Sequence, residues 1–292
     1  MAGPHDPGMN PPLRPGIIGL GIIGQRVAAC LQQKGLSPLV WNRTPEPEIP
    51  GWTDSPAALT KACDVIQCLV TDGPALIGVL EAMRPHLGPG KIIINSSTIA
   101  LRETLTAAAL VAKTGAVFLD IPFTGSRDAA AAGQLTYYAG GGQEAIEAVR
   151  PLLEASGKEV FFTGALGSAT VLKIATNMVS STIVGVLAEA MGVVAAQDIA
   201  LTKFQAALER NAASSGVSKL KIPSMIAGDF TPHFSLKNML KDASLALELA
   251  AESGLVLPIL STVAEGMAEM ASNGHADDDF SVMAANYLTR RS

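Results

Sequence analysis

Two hydrophobic rhythms share this chain, and the switch between them limits its fold more than any single motif does. From residue 16 onward, apolar β-rich runs (GIIGL, PLVWN, DVIQCLV, KIIINSS, AVFLDIP) alternate with stretches of helical periodicity, and LTYYAG, a helix over 143–155 and a short VFFTG close the series. Strands that alternate with helices pair as parallel βαβ units. Helix starts are marked by DSP at 54–56 and DGP at 72–74, where an acid or its neighbour can cap and proline falls in the first turn. After residue 166 the β signal nearly vanishes, and helical patterns cover 168–197, 201–211, 234–252, 257–272 and 280–288. The sequence therefore predicts an α/β fold: a Rossmann-type, doubly wound, mainly parallel sheet over 16–166, a long interdomain helix over 167–197, and an all-helical C-terminal domain over 198–292.

Composition narrows the partners. The chain has 292 residues, 48% of them hydrophobic, enough for a sizeable core without covalent staples. Its 21 Lys and Arg against 26 Asp and Glu are scattered, so there is no electrostatic footprint for nucleic acid or an anionic membrane. Cys30, Cys63 and Cys68 have no metal-ligand spacing and sit among apolar neighbours, which predicts buried reduced thiols and a cytoplasmic location. His5, His86, His233 and His275 suggest neither a metal site nor a triad. The longest charge-free apolar segment, 174–188, carries Thr176, Asn177, Ser180, Ser181 and Thr182 and reads as too short and too polar to span a bilayer. Residues 1–15, MAGPHDPGMNPPLRP, lack an apolar run and read as a disordered lead, not a signal peptide.

In IIGLGIIG, Gly19, Gly21 and Gly24 satisfy G-x-G-x-x-G directly after a predicted strand and at the start of a predicted helix. That context needs glycine three times: for a tight turn, for backbone approach to a pyrophosphate, and for close packing of helix on strand. Eighteen residues beyond Gly24, where a carboxylate would hold the ribose hydroxyls of NAD, stands Asn42, followed by Arg43 and Thr44. An amide, a guanidinium and a hydroxyl suit a 2′-phosphate, so the reading is NADP(H), against a plain solvated turn.

Three further segments carry candidate chemistry. DIPFTGSRDAAAAGQL (120–135) follows the fifth strand, and Thr124, Gly125 and Ser126 could offer hydroxyl and backbone donors to a small carboxylate, or form an ordinary loop capped by Asp128. Lys173 and Asn177, four apart, share a helix face with Ala169 one turn earlier; this lysine could give a proton to a carbonyl oxygen, or snorkel to water. Lys237 and Lys241 read as a solvated face, and ADDDF (276–280) as the acidic start of the last helix.

In their order along the chain, GLGIIG with VWNRT, DIPFTGS with AAAGQL, GALGSATVLKIATN and KDASLALE resemble the β-hydroxyacid dehydrogenase family, which includes 3-hydroxyisobutyrate dehydrogenases, tartronate semialdehyde reductases and glyoxylate or succinic semialdehyde reductases. The resemblance covers nearly the whole chain after residue 15. It implies Lys173 as catalytic lysine, Thr124, Gly125 and Ser126 as the substrate-anion loop, and Asn177 as a helix-borne asparagine that helps that loop bind the substrate. It also implies cofactor contacts at Leu20, Ile22, Ile23, Leu69, Val70, Thr98 and Lys241, beside Gly19, Gly21, Gly24, Asn42, Arg43 and Thr44. Phe123-Thr124, Ala169 and Thr176 depart from the family's usual Val-Ser, glycine and asparagine.

The function so implied is NADPH-dependent, reversible reduction of a small carboxylate-bearing aldehyde or keto acid such as glyoxylate, succinic semialdehyde, tartronate semialdehyde or methylmalonate semialdehyde. A homodimer or homotetramer through the helical domain, with no metal, nucleic acid or membrane, goes with it. Two alternatives are an imine reductase or reductive aminase on the same scaffold, and a non-catalytic NADP(H)-binding protein.

Overall fold

The structure is a computed structural model that describes residues 13–288. Its described residues divide into two compact units. One comprises the chain up to Ser97, 102–123 and 129–167; the other comprises 98–101, 124–128 and the chain from Ser168 onward.

The first unit is a sheet with helices. In chain order it runs β1 (Pro15–Ile18), α1 (Gly24–Gln33), β2 (Leu39–Trp41), α2 (Pro56–Ala62), β3 (Val65–Cys68), α3 (Gly73–Met83), β4 (Ile92–Asn95), α4 (Leu101–Ala112), β5 (Val117–Asp120), β6 (Phe123–Thr124), α5 (Arg127–Ala131), β7 (Leu135–Gly140), α6 (Gln143–Glu154) and β8 (Gly157–Gly164). The strand order is β2-β1-β3-β4-β5-β7-β6, with β8 on β7. Pairing is parallel from β2 to β5 and between β7 and β8, and antiparallel between β5 and β7. Order reverses between β1 and β3, the kind of switch point outside whose strand ends α/β folds hold ligands.

Local chemistry explains the starts. Ser55 Oγ accepts from Ala58 N at 3.1 Å with Pro56 in the first turn, and Asp72 Oδ1 accepts from Ala75 N at 2.8 Å. Both caps fall where DSP and DGP place them. Ile17, Leu31, Val40, Ile94, Leu119 and Tyr137 fill the core, and the Tyr137 hydroxyl finds Ser156 Oγ at 2.8 Å. The three cysteines are buried and free, and burial pushes the Cys63 thiol up to about 11.

Two residues of the expected lead are structured. Pro15 already belongs to β1, and Arg14 grips Asp64 with its backbone N–H, Nε and Nη2 at 2.9–3.1 Å. Residues 1–12 of the expected disordered lead lie outside the described residues.

The second unit is helical: α7 (Ser168–Ala196), α8 (Leu201–Glu209), α9 (Gly216–Ala227), α10 (Leu236–Glu252), α11 (Pro258–Met270), a 3₁₀ turn (Phe280–Ala284) and α12 (Ala285–Leu288). Ile174, Val184, Met191, Met225, Met239, Met267 and Phe280 are central to its core. By length and composition α7 could cross a bilayer, because its 29 residues extend the apolar stretch on both sides of 174–188; the expectation that it is too short is thus corrected. Here it packs through Ile174, Val184, Leu187 and Met191 into the helical core.

ADDDF is also more than an acidic helix start. Asp277 pairs with Lys237 and Asp278 with His275, while buried Asp279 takes Lys221 Nζ on both oxygens, at 2.7 and 2.8 Å. The same carboxylate accepts from the backbone N–H groups of His233, Phe234 and Ser281 and from Ser281 Oγ.

Candidate active site

In the sheet unit, the turn from β1 into α1 gives each of its three glycines a different reason. Gly19 has φ +95°, and a Cβ there would lie 2.3 Å from the Leu69 carbonyl oxygen. A Cβ on Gly24 would lie 1.9 Å from the Gly19 carbonyl oxygen. Gly21 is different: its Cβ would meet nothing within 4 Å. The first and third glycines are demanded by the fold, whereas the second leaves open space that a close-lying ligand can use. Above it α1 begins with no side-chain cap and no acid in its first turn, so the positive end of its dipole is left for an anion, although Gln25 N and Val27 N already donate to the Gly21 and Ile23 carbonyls. This cradle fits the pyrophosphate of a dinucleotide.

Asn42 proves to be a brace. Its Oδ1 accepts from Leu20 N at 3.2 Å, and its Nδ2 donates to the Thr44 carbonyl at 3.2 Å and to Glu46 Oε1 at 3.1 Å. The Asn42 side-chain donors, read as part of a phosphate site, are therefore engaged within the protein. Arg43 and Thr44 are exposed, and Ile22 with them. Leu69 and Val70 are half-buried at the end of β3, where Val70 N donates to Ser97 Oγ at 2.9 Å.

In the helical unit, four side chains form a chain of polar contacts. Lys173 Nζ donates to Asn177 Oδ1 at 3.0 Å, and Asn177 Nδ2 donates to Asp242 Oδ2 at 2.6 Å. Lys241 Nζ lies 2.9 Å from Asp242 Oδ1 and donates to the Thr98 carbonyl. The 2.9 Å approach is an ion pair and not a formed hydrogen bond, so Asp242 Oδ1 is buried without a donor aimed at it. Asp242 is 1% exposed and Asn177 9%. An ionised carboxylate only accepts, which forces the Asn177 NH₂ toward Asp242 and leaves its oxygen for the lysine. Burial pushes Lys173 down to about 8, against the pull of Asp242 and with some help from the like charge of Lys241.

The 124–128 segment groups with the same unit. Thr124 and Ser126 are half-buried, and Gly125 is exposed with φ +131°. Next to them Arg127 Nη2 lies 3.4 Å from His233 Nε2, and its Nε pairs with Asp128 at 3.0 Å.

Residues 14–164 match the family described as the NAD binding domain of 6-phosphogluconate dehydrogenase, and residues 167–287 match the NAD-binding family of NADP-dependent 3-hydroxyisobutyrate dehydrogenase. The chain belongs to the β-hydroxyacid dehydrogenase family. Glyoxylate/succinic semialdehyde reductase 2 (chloroplastic) of Arabidopsis thaliana is 29% identical over 279 residues, 92% of this chain and 77% of that protein. L-threonate dehydrogenase of Cupriavidus necator is also 29% identical, over 92% of this chain and 94% of its own length. A solved 3-hydroxyisobutyrate dehydrogenase of Mycobacterium tuberculosis with L-serine has a TM-score of 0.87 at 24% identity, covering 96% of this chain and 99% of that one; it shows a shared fold. As a β-hydroxyacid dehydrogenase the chain is an NAD(P)-dependent oxidoreductase acting on CH–OH groups, with a nicotinamide dinucleotide as cofactor.

Within this β-hydroxyacid dehydrogenase, Lys173, Asn177, Lys241, Thr98 and the 124–126 loop fall in one unit, and the glycine turn with Asn42, Arg43, Thr44, Leu69 and Val70 falls in the other. Two acids go unread in the sequence. Asp242 stands there only inside KDASLALE with no role of its own, though an acid on the otherwise apolar buried face of a helix (Leu236, Met239, Ala243, Ala246) is a signal. Glu46 goes unread because it lies four residues past the position where a ribose acid is expected.

Proposed function

We propose that this β-hydroxyacid dehydrogenase is an NADPH-dependent, reversible reductase of small aldehyde or keto acids, with Lys173 as the group that moves the proton. The observation that carries the reading is the Lys173–Asn177–Asp242 relay: a half-buried lysine pushed down to about 8 and held by an amide that a buried carboxylate orients. A bound dihydronicotinamide supplies the hydride for the carbonyl carbon. Lys173, protonated at Nζ, gives its proton to the carbonyl oxygen in reduction and takes it back in oxidation. Thr124, Gly125 and Ser126 hold the substrate carboxylate, and Asn177 steadies the lysine so that the reacting atoms meet in order. Glyoxylate, succinic semialdehyde and their C3 and C4 relatives are the substrate class, which fits the names borne by the plant relatives.

The presence of this proton-holding lysine speaks against a silent binding protein. Arg43 and Thr44, exposed beside the glycine turn, are offered for a 2′-phosphate. A panel of short semialdehydes and 2-keto acids assayed with NADPH and NADH in parallel tests both points. Turnover of at least one of them, with kcat/KM higher for NADPH, is expected; no oxidation of either nucleotide, or a ratio at or below one, overturns the corresponding half.

The protein is further proposed to pair through the helical unit. Leu172, Val179, Val186 and Val193 recur every seven residues on α7 and are each at least 40% exposed, and with Leu255, Val256 and Ile259 they leave an apolar face. Part of it is a groove of about 610 Å³ lined by Val179, Val186, Phe204, Val256 and Ile259. A seven-residue apolar repeat is a seam that a second copy can match. Light scattering at micromolar concentration should give at least twice the 30.1 kDa chain mass.

A further inference from the structure

We propose that Glu46 is the ribose-reading acid of this chain, and that it decides how far the protein prefers the phosphorylated dinucleotide. The inference rests on the dinucleotide reading of the glycine turn. The sequence places no acid at the end of β2, yet the fold returns one to that corner from four residues further on. Glu46 Oε1 accepts from Asn42 Nδ2 at 3.1 Å, while Asn42 Oδ1 accepts from Leu20 N inside the glycine turn. On its other oxygen Glu46 faces Gln25 Nε2, 3.4 Å away in the first turn of α1. One side chain thus separates the carboxylate from the backbone of the turn that cradles the pyrophosphate.

Glu46 is half-buried and is held by two neutral amides. Among the described residues it has no ion pair, and Arg43, three positions earlier, is exposed and pairs with nothing either. The corner therefore offers two opposite charges that do not cancel each other. A 2′-phosphate meets an attractive guanidinium and a repulsive carboxylate; free ribose hydroxyls meet an acceptor with spare lone pairs. Like charges within about 4–6 Å shift equilibria by one or more powers of ten, so removing the carboxylate should move the cofactor preference by roughly tenfold.

The test is calorimetric titration of NADPH and NADH into the intact protein, with adenosine 2′,5′-bisphosphate and adenosine 5′-monophosphate as fragments that carry only this corner. Glu46→Gln keeps an acceptor for Asn42 and removes the charge. It should tighten NADPH, weaken NADH, and raise the ratio of their affinities about tenfold, with the fragments following the same order. Arg43→Ala should weaken only the phosphorylated members of each pair. If Glu46→Gln moves both nucleotides equally, or neither, Glu46 is only a brace for Asn42 and the proposal falls while the cofactor reading stands. If Glu46→Gln behaves as expected but the wild-type protein binds NADH more tightly than NADPH, the proposal holds and the NADPH preference falls. A wild-type protein that binds neither nucleotide overturns both.

Discussion

At the glycine turn the working groups are backbone atoms, and what matters about the side chains is that three of them are missing. At the lysine relay the reverse holds: the working groups are side chains drawn from Lys173, Asn177 and Asp242, and the backbone only carries them. The turn is assembled within a few residues of one strand end; the relay joins α7 to α10 across some sixty-five positions of sequence. A site made of shape can be read from a short stretch of sequence, while a site made of buried charge exists only once the helices have packed.

The contrast can be broken most severely at its chemical end. Lys173→Ala should lower kcat about 10²–10⁴-fold, the usual range for general acid–base catalysis, with dinucleotide affinity little changed in a direct titration. A loss within tenfold would remove Lys173 from the proton path.

Asp242→Asn comes next. It replaces a charged hydrogen bond with a neutral one, worth roughly 10- to 100-fold in kcat. It also has a signature in pH. Reduction needs Lys173 protonated, so the reductive rate should fall as pH rises through about 8, and oxidation should rise over the same range. Asp242 favours the charged lysine, so its neutralisation moves that limb to lower pH; Lys241→Met, removing a like charge, moves it to higher pH. Two variants that leave the limb in place would show that the relay only supports the helices.

The smallest effects should separate the glycines. Gly24→Ala drives a methyl against the Gly19 carbonyl and should cost about 1–3 kcal/mol of stability as well as cofactor affinity. Gly21→Ala has room in the protein alone, so its melting temperature should stay near that of the parent while dinucleotide affinity falls several-fold. Equal destabilisation by both would mean that the second glycine serves the fold and not the ligand.

Much of this was legible in the sequence, for reasons that differ by segment. The strands of the sheet centre read as apolar runs because both faces are covered, and DSP and DGP mark helices because their caps are local. By contrast α9 (Gly216–Ala227) goes unread: Pro223 stands inside it, and no clear apolar stripe offsets that discouragement, although Ser215 and Ser218 form a capping box at its start and Gly228 closes it at φ +66°. Lys241 reads as solvated because its spacing from Lys237 says nothing of Asp242 and Thr98, which packing brings to it. Lys173 and Asn177 are within reach of a sequence argument, four apart on one helix, but the carboxylate that gives their contact direction is not.

Asp279 has a consequence for how the helical unit breathes. One buried carboxylate takes donors from α9 through Lys221, from the backbone at His233 and Phe234, and from the 3₁₀ turn at Ser281. None of these segments can open alone without leaving an unsatisfied buried group. The stretch that carries His233 to Arg127 therefore belongs to the same cooperative opening unit as α9 and the last turns of the chain, and its amide hydrogens should exchange with solvent on the slow clock of that whole unit and not on the fast one of a surface loop.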